Sequence, residues 1–90
     1  MIVTLEEMKQ YLRVDFDDDD SLIETLITSA TRLCTDITRQ NEDVFEESEN
    51  AKPAVYYAVA YLYEHREEAD HHTLTLTLRS LLFGSRKEAF

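Results

Sequence analysis

The chain is poor in the residues that shape tight turns. It has one glycine, one proline and no tryptophan among its 90 residues. Because hairpins and other close turns depend on glycine and proline, this scarcity argues against an all-β fold. Cysteine is equally scarce, since Cys34 has no second cysteine with which to form an internal disulfide. A single cysteine fits an intracellular, reducing compartment.

Basic residues are also in deficit. Nine lysines and arginines face nineteen aspartates and glutamates, which gives a formal charge of −10. A protein that binds duplex DNA needs a basic patch for the phosphates, so this balance disfavours DNA binding and attachment to an anionic membrane. The first residues lack the basic and apolar segments of a secretion signal, so we expect none. The length predicts one domain.

The most prominent feature present is an uncharged stretch from Ala54 to Tyr63. Pro53 suits the first turn of a helix, and the stretch is too long for a usual strand. It is too short to span a bilayer, which takes roughly 20 residues. We predict a central helix over 53–67, covered by the rest of the chain. Its tyrosines have apolar bodies and polar tips that suit either the core or a subunit interface. They are Tyr56, Tyr57, Tyr61 and Tyr63.

Two amphipathic helices are predicted before this stretch. Thr4 and Glu7 have the spacing of a capping box, which predicts a helix over 5–12. An acidic run then precedes a second helix over 20–38, at a position where the helix dipole favours negative charge. The run is Asp17, Asp18, Asp19 and Asp20. The apolar stripe of the second helix contains Leu22, Ile23, Leu26, Ile27, Ala30, Leu33, Cys34 and Ile37, while Thr31 falls on its polar face. Spacings of three and four indicate a helix that packs on one side.

Residues 38–52 lose this periodicity and are predicted to form an exposed acidic loop, with Phe45 turned inward. Its acids are Glu42, Asp43, Glu46, Glu47 and Glu49. After it, Leu74, Leu76 and Leu78 alternate with threonines as in a strand. Leu78, Leu81 and Leu82 also have helical spacing, and Gly84 suits a helix end. We favour a final helix over 75–83.

The predicted fold is therefore all-α. It is a small orthogonal or bundled domain of about four helices, roughly 5–12, 20–38, 53–67 and 75–83, with the acidic loop between the second and third. The helical domain spans 1–84, and a C-terminal tail spans 85–90.

No pattern of reactive residues predicts catalysis or a metal. Asp15, Asp17 and Asp19 have the first spacings of an EF-hand loop, but Asp20 stands at its glycine position and Leu26 at its bidentate glutamate position. Adjacent histidines on a helix point apart, so His71 and His72 make a poor metal site. The charged residues from Glu64 to Glu67 are explained by a solvated helix end. We expect no enzyme activity, no cofactor and no metal.

The order of these segments resembles the phage head–tail connector family, whose small members are often labelled possible DNA-packaging proteins. The resemblance runs from Val3 to about Arg86. It rests on Thr4-Leu5-Glu6-Glu7, Leu12-Arg13-Val14-Asp15, the acidic run into Leu22-Ile23-Glu24, the helix from Ala54 to Glu67, and Leu81-Leu82 followed by Arg86. The second helix departs from the family pattern because it ends Thr38-Arg39-Gln40, without the glycine often found there. The tryptophan region near Tyr61 and the proline before the last helix are also absent.

The resemblance implies a helical subunit that forms a ring of about a dozen copies on the portal of a tailed-phage capsid. The ring would join the portal to a neck or head-completion protein, and duplex DNA would pass through it without specific binding. Such a protein is made in the host cytoplasm and works in the virion neck, with no membrane partner. The two acidic segments, 17–20 and 42–49, are candidates for a surface that faces the lumen and repels phosphate.

Interface candidates in this interpretation are the tyrosines of the central helix and a basic C-terminal set. That set is Arg79, Arg86, Lys87 and Phe90, which could dock on an acidic face of a neighbouring subunit or of the portal. The alternative function is an acidic helical interaction module, an inhibitor or DNA mimic, that binds a basic protein.

Overall fold

The computed structural model of the chain describes residues 2–65 and 71–83. Within these ranges the chain forms five α-helices and no β-strand, so the expected all-α class is confirmed. The helices are α1 (Leu5–Leu12), α2 (Asp20–Thr38), α3 (Glu42–Glu46), α4 (Ala51–Glu64) and α5 (His71–Phe83). The predicted bounds of α1 and α2 agree with the structure.

Helix α4 lies at the centre and contacts each of the other helices, most extensively α2. Its buried face consists of small side chains, which allow close approach of a neighbouring helix. They are Ala51, Ala54, Val55, Ala58 and Val59. The α2 side of the core contributes Ile23, Ile27, Ala30 and Cys34, all fully buried. Helix α4 is therefore fully buried on one face only, and its tyrosines are half-buried.

The start of α1 is the predicted capping box. The Glu7 N–H donates to Thr4 Oγ1 over 3.1 Å, and the Thr4 N–H donates to Glu7 Oε1 over 3.0 Å. At the other end, the Val14 N–H donates to the Lys9 carbonyl and the Arg13 N–H to the Gln10 carbonyl. These two bonds form a Schellman motif, which satisfies carbonyls that the last turn would otherwise leave unpaired.

The predicted acidic loop is wrong in part, because α3 forms inside it. The Asn41 side chain accepts a hydrogen bond from the Val44 N–H over 2.9 Å and so caps the helix. Glu42 and Asp43 occupy its first turn, where the helix dipole favours them. Phe45 is fully buried, as predicted, and holds this turn of helix on the core. The Asn41 cap and the buried Phe45 side chain stabilise α3, which is too short to show a periodic pattern in the sequence.

Other boundaries also differ from prediction. Helix α4 begins at Ala51 instead of 53, because the Ala54 N–H donates to the Asn50 carbonyl and Ala51 is already buried. It ends at Glu64, and the predicted continuation over 66–67 lies outside the described residues. Helix α5 begins at His71 instead of 75, because Leu74, Leu78 and Leu82 all face the core at intervals of four residues.

One polar residue of α2 was placed on the wrong face. Thr31 is buried, with an exposed fraction of 7%. Its hydroxyl donates to the Ile27 carbonyl over 2.8 Å, so the buried polar group is satisfied within its own helix. A threonine can occupy the core side of a helix in this way without a partner on another element.

Arg39 occupies the position where the family pattern often has glycine. Its φ of 58° and ψ of 38° place it in the left-handed region, and the Gln40 N–H donates to the Thr35 carbonyl. Arg13 ends α1 in the same conformation, with a φ of 61°. A residue with a Cβ is strained there, by roughly 1–2 kcal/mol. The chain thus ends α2 with the left-handed conformation that glycine favours, although an arginine stands there.

We predict that Arg39→Gly raises the free energy of unfolding by about 1 kcal/mol, because glycine adopts this conformation without strain. Arg39→Ala is the matched control, since it removes the guanidinium but keeps the Cβ. Urea denaturation followed by circular dichroism measures both. Equal stability of the two variants would contradict the strain argument.

The burial pattern of α5 gives a second prediction. Leu78 is fully buried and Leu76 is 54% exposed, although a strand would place both on one face. Leu78→Ala should therefore lower the free energy of unfolding by about 2–5 kcal/mol. Leu76→Ala, the control, should change it by less than about 0.5 kcal/mol, as surface substitutions do. Comparable losses from the two variants would show that α5 does not have this register.

Candidate assembly surfaces

The tyrosines of α4 are placed mainly by contacts within the chain. The Tyr56 ring stacks on Tyr11 of α1, with centroids 4.8 Å apart and planes 10° from parallel. Tyr57 lies at 6.5 Å from Tyr61, whose ring stacks on His65 at 4.4 Å. The structure thus brings the predicted tyrosines onto the half-buried sides of α4. Their contact with another subunit stays a prediction.

Tyr63 has a specific partner within the chain. Its hydroxyl donates to Asp19 Oδ2 over 2.6 Å, which joins the end of α4 to the start of α2. Asp19 is the N-cap residue of α2, but its carboxylate makes no capping hydrogen bond. The Tyr63 hydroxyl is therefore satisfied without a second subunit.

Tyr11 was missed as a candidate surface residue. It is 51% exposed, and its ring continues the aromatic surface of Tyr56. Lys52 reaches across the same boundary between α1 and α4 and pairs with Glu7 over 3.0 Å. Hydrogen bonds from the Thr4 N–H and from Lys52 lower the pKa of Glu7. The only signal for Tyr11 in the sequence was its place beside the apolar face of the first helix.

The acidic run before α2 is partly neutralised by one lysine. Lys9 Nζ lies 2.8 Å from Asp17 Oδ1 and 2.7 Å from Asp20 Oδ1. The hydrogen bond to Asp17 and then the ion pair with Asp20 raise the pKa of Lys9 well above its usual range. Lys9 in turn lowers the pKa of Asp17. With Asp19 bonded to Tyr63, only Asp18 of the run carries a carboxylate with no described partner.

The second acidic segment is different in character. Its five carboxylates belong to exposed residues on α3 and the turn after it, namely Glu42, Asp43, Glu46, Glu47 and Glu49. No cation in 2–65 or 71–83 forms an ion pair with any of them. This segment is therefore the more concentrated source of negative potential on the described surface. The prediction that it faces a lumen remains to be tested.

The basic set is only partly described. Arg79 is exposed on α5, whereas Arg86, Lys87 and Phe90, with the predicted tail over 85–90 and Gly84, lie outside the described residues. The predicted division at residue 84 falls in the same segment. Within the described part of α5, Arg79 is accompanied by the exposed apolar side chain of Leu76.

The surface also has open grooves with polar linings. One, of about 570 Å³, runs along α2 beside Thr28, Arg32 and Gln40, and another, of about 660 Å³, lies between α1 and the acidic run. Cys34 is buried away from them, and burial raises the pKa of its thiol to about 12, which makes it a poor nucleophile. Among the described residues, no three histidine, cysteine or acidic side chains converge as metal ligands.

Comparison with models of known protein families matches residues 2–88 to the phage gp6-like head-tail connector protein. The chain belongs to this family. As a head-tail connector it has a structural role in phage assembly, at the junction of head and tail. No curated protein and no solved structure matches the chain. None of the helices in the described ranges is long and apolar enough to cross a membrane.

The chain matches the family model although its sequence departs from the family pattern at several positions. The connector chain lacks the glycine often found after its second helix, but Arg39 adopts the left-handed conformation that glycine would supply there. The resemblance inferred from the motifs is thus confirmed over nearly the whole chain.

The Lys9 ion pairs give a prediction about pH. A carboxyl group whose pKa is lowered in the folded state stabilises the fold at pH values above its unfolded-state pKa, about 3.9 for aspartate. This stabilisation is lost as the pH falls through the folded-state pKa. Lys9→Met should therefore be less stable than the wild type at neutral pH, and the gap should close progressively below about pH 4. Urea midpoints measured from pH 7 to pH 2 test this. A gap that persists unchanged at the acid end would contradict it, and Lys9→Arg is the control that keeps the charge.

Proposed function

We propose that the connector chain assembles as a ring of about a dozen copies on the capsid portal of a tailed phage or prophage. The ring joins the portal to the neck or head-completion protein and forms part of the DNA conduit. The observation that carries the proposal is the family match over residues 2–88. In this function the chain acts by assembly and not by catalysis, and it requires no cofactor.

The charge of the chain supports the conduit. A formal charge of −10 and the five carboxylates on and after α3, which have no ion-pair partner within the described part of the chain, repel phosphate, so a moving duplex finds no adhesive site. Subunits made in the host cytoplasm would reach the virion neck without any membrane partner. The strength of the repulsion between the wall and DNA depends on which acidic segment lines the hole, 17–20 or 42–49. The unpaired carboxylates favour 42–49.

The candidate contacts follow from the surfaces already described. The half-buried tyrosines of α4, with Tyr11 beside them, offer amphipathic side chains of the kind enriched at interfaces. The basic residues Arg79, Arg86 and Lys87, with Phe90, suit an acidic face of a neighbour or of the portal. In this arrangement the domain over 1–84 builds the ring and the tail over 85–90 docks.

Electron microscopy of the purified chain, alone and mixed with its portal protein, tests the proposal. We expect closed rings with a hole wide enough for duplex DNA, either in the free protein or on the portal. In a filter-binding assay at physiological salt, we expect no retention of duplex DNA, because the chain offers few cations to phosphate.

Two controls sharpen this experiment. The same DNA assay at low salt sets the upper limit for nonspecific attraction, and a basic DNA-binding protein shows that the filter retains complexes. A chain that forms no rings with or without the portal, but binds a basic protein tightly at low salt, would instead be an acidic interaction module. Duplex retention at physiological salt would contradict the conduit.

A further inference from the structure

Helix α5 differs from the other helices because it contains no acidic residue. Its sequence from His71 to Phe83 has one arginine and two histidines, whereas each of α1 to α4 contains at least one aspartate or glutamate. In a chain of formal charge −10 this leaves one helix whose surface does not repel an acidic partner. Leu74, Leu78 and Leu82 hold its inner face in the core.

The outer face of α5 combines an apolar side chain with a cation. Leu76 is 54% exposed, the largest exposed fraction among the large apolar side chains of the described residues. Arg79 follows three residues later, so the two side chains are neighbours on the helix surface. Neither belongs to the buried face, and both are available to a partner.

Helix α3 presents the complementary pattern. Val44 is 48% exposed, although Phe45 next to it is fully buried. Glu47 follows Val44 by three residues, and its N–H donates to the Val44 carbonyl over 3.2 Å, which keeps the two residues on adjacent positions of the surface. Each face thus has an exposed apolar residue and, three positions later, an exposed charge, with opposite signs on α3 and α5.

We propose that the Leu76–Arg79 face of α5 packs on the surface that Val44 and Glu47 form at the end of α3 in a second copy of this chain. This inference rests on the proposed ring, and it names one pair of surfaces that meet in it. Glu47 then lies in the contact, and the lumen-facing role proposed for 42–49 falls to the remaining carboxylates of that segment. Copies that repel each other through their overall charge associate more readily where the local charges are opposite, because like charges placed against each other are costly. Because the two faces differ, the contact is heterologous, and each copy retains one free face for the next neighbour, as a ring requires.

Charge reversal tests the contact. Arg79→Glu places two acids opposite each other, and Glu47→Arg places two cations opposite each other, so each should weaken self-association by at least about tenfold. Sedimentation equilibrium of the full chain up to millimolar concentration at low salt measures this. Arg32→Glu and Glu24→Arg on the exposed side of α2 are matched controls that change the net charge equally, and they should have little effect.

Mixing the two variants provides the decisive measurement. The acid introduced at position 79 of the first variant faces the native Glu47 in copies of that same variant. In an equimolar mixture it instead meets the base introduced at position 47 of the second variant, so association should return toward the wild-type level. The double variant Arg79→Glu with Glu47→Arg should also associate by itself. Circular dichroism confirms that all variants remain folded.

The outcomes separate this contact from the ring itself. If the wild type associates but neither reversal weakens it, or if the mixture does not recover, the proposed contact is overturned while the ring stands. The same holds if the α2 controls weaken association as strongly. A wild-type chain that remains monomeric at millimolar concentration, and forms no ring on the portal, overturns both the contact and the proposed function.

Discussion

The structure depends on the close packing of α4 against α2. Ala51, Ala54 and Ala58 leave little side-chain volume on the α4 face, so the neighbouring helix can approach and bury Ile23 and Ile27. Larger residues at these alanines would separate the helices, and overpacking of a dense core is costly. All the other helices contact this pair, so the positions of the surface residues on α1, α3 and α5 follow from it.

The packing also decides which charges remain available at the surface. Where α1 meets the start of α2, Lys9 pairs with Asp17 and Asp20, and the end of α4 brings Tyr63 to Asp19. The acids after α2 have no ion-pair partner among residues 2–65 and 71–83, and Phe45 is the one residue of α3 that is buried there. Two acidic segments that look alike in the sequence therefore differ in the folded chain. One contributes to internal contacts, and the other is a source of repulsion.

The sequence predicts elements whose signal is local. The capping box at Thr4 and the long apolar stripe of α2 gave correct bounds, because backbone geometry alone relates those residues. Helix α3 was missed because its cap, Asn41, and its buried residue, Phe45, produce no periodic pattern in the sequence. The start of α5 was missed because Leu74, Leu76 and Leu78 fit both a strand and a helix. Contacts such as Tyr63 with Asp19, 44 residues apart, depend on tertiary packing and have no local signal.

In the proposed ring, screening would let an acidic subunit repel DNA and still associate with its own copies. At physiological ionic strength the Debye length is about 8 Å, so each exposed charge acts mainly on its immediate surroundings. Repulsion by the carboxylates on α3 is then felt by a duplex close to them, but hardly by surfaces on the far side of the subunit. Association consequently requires matching charges only within the contact itself. A helix without acids, in a chain of formal charge −10, satisfies this local requirement without reducing the repulsion elsewhere.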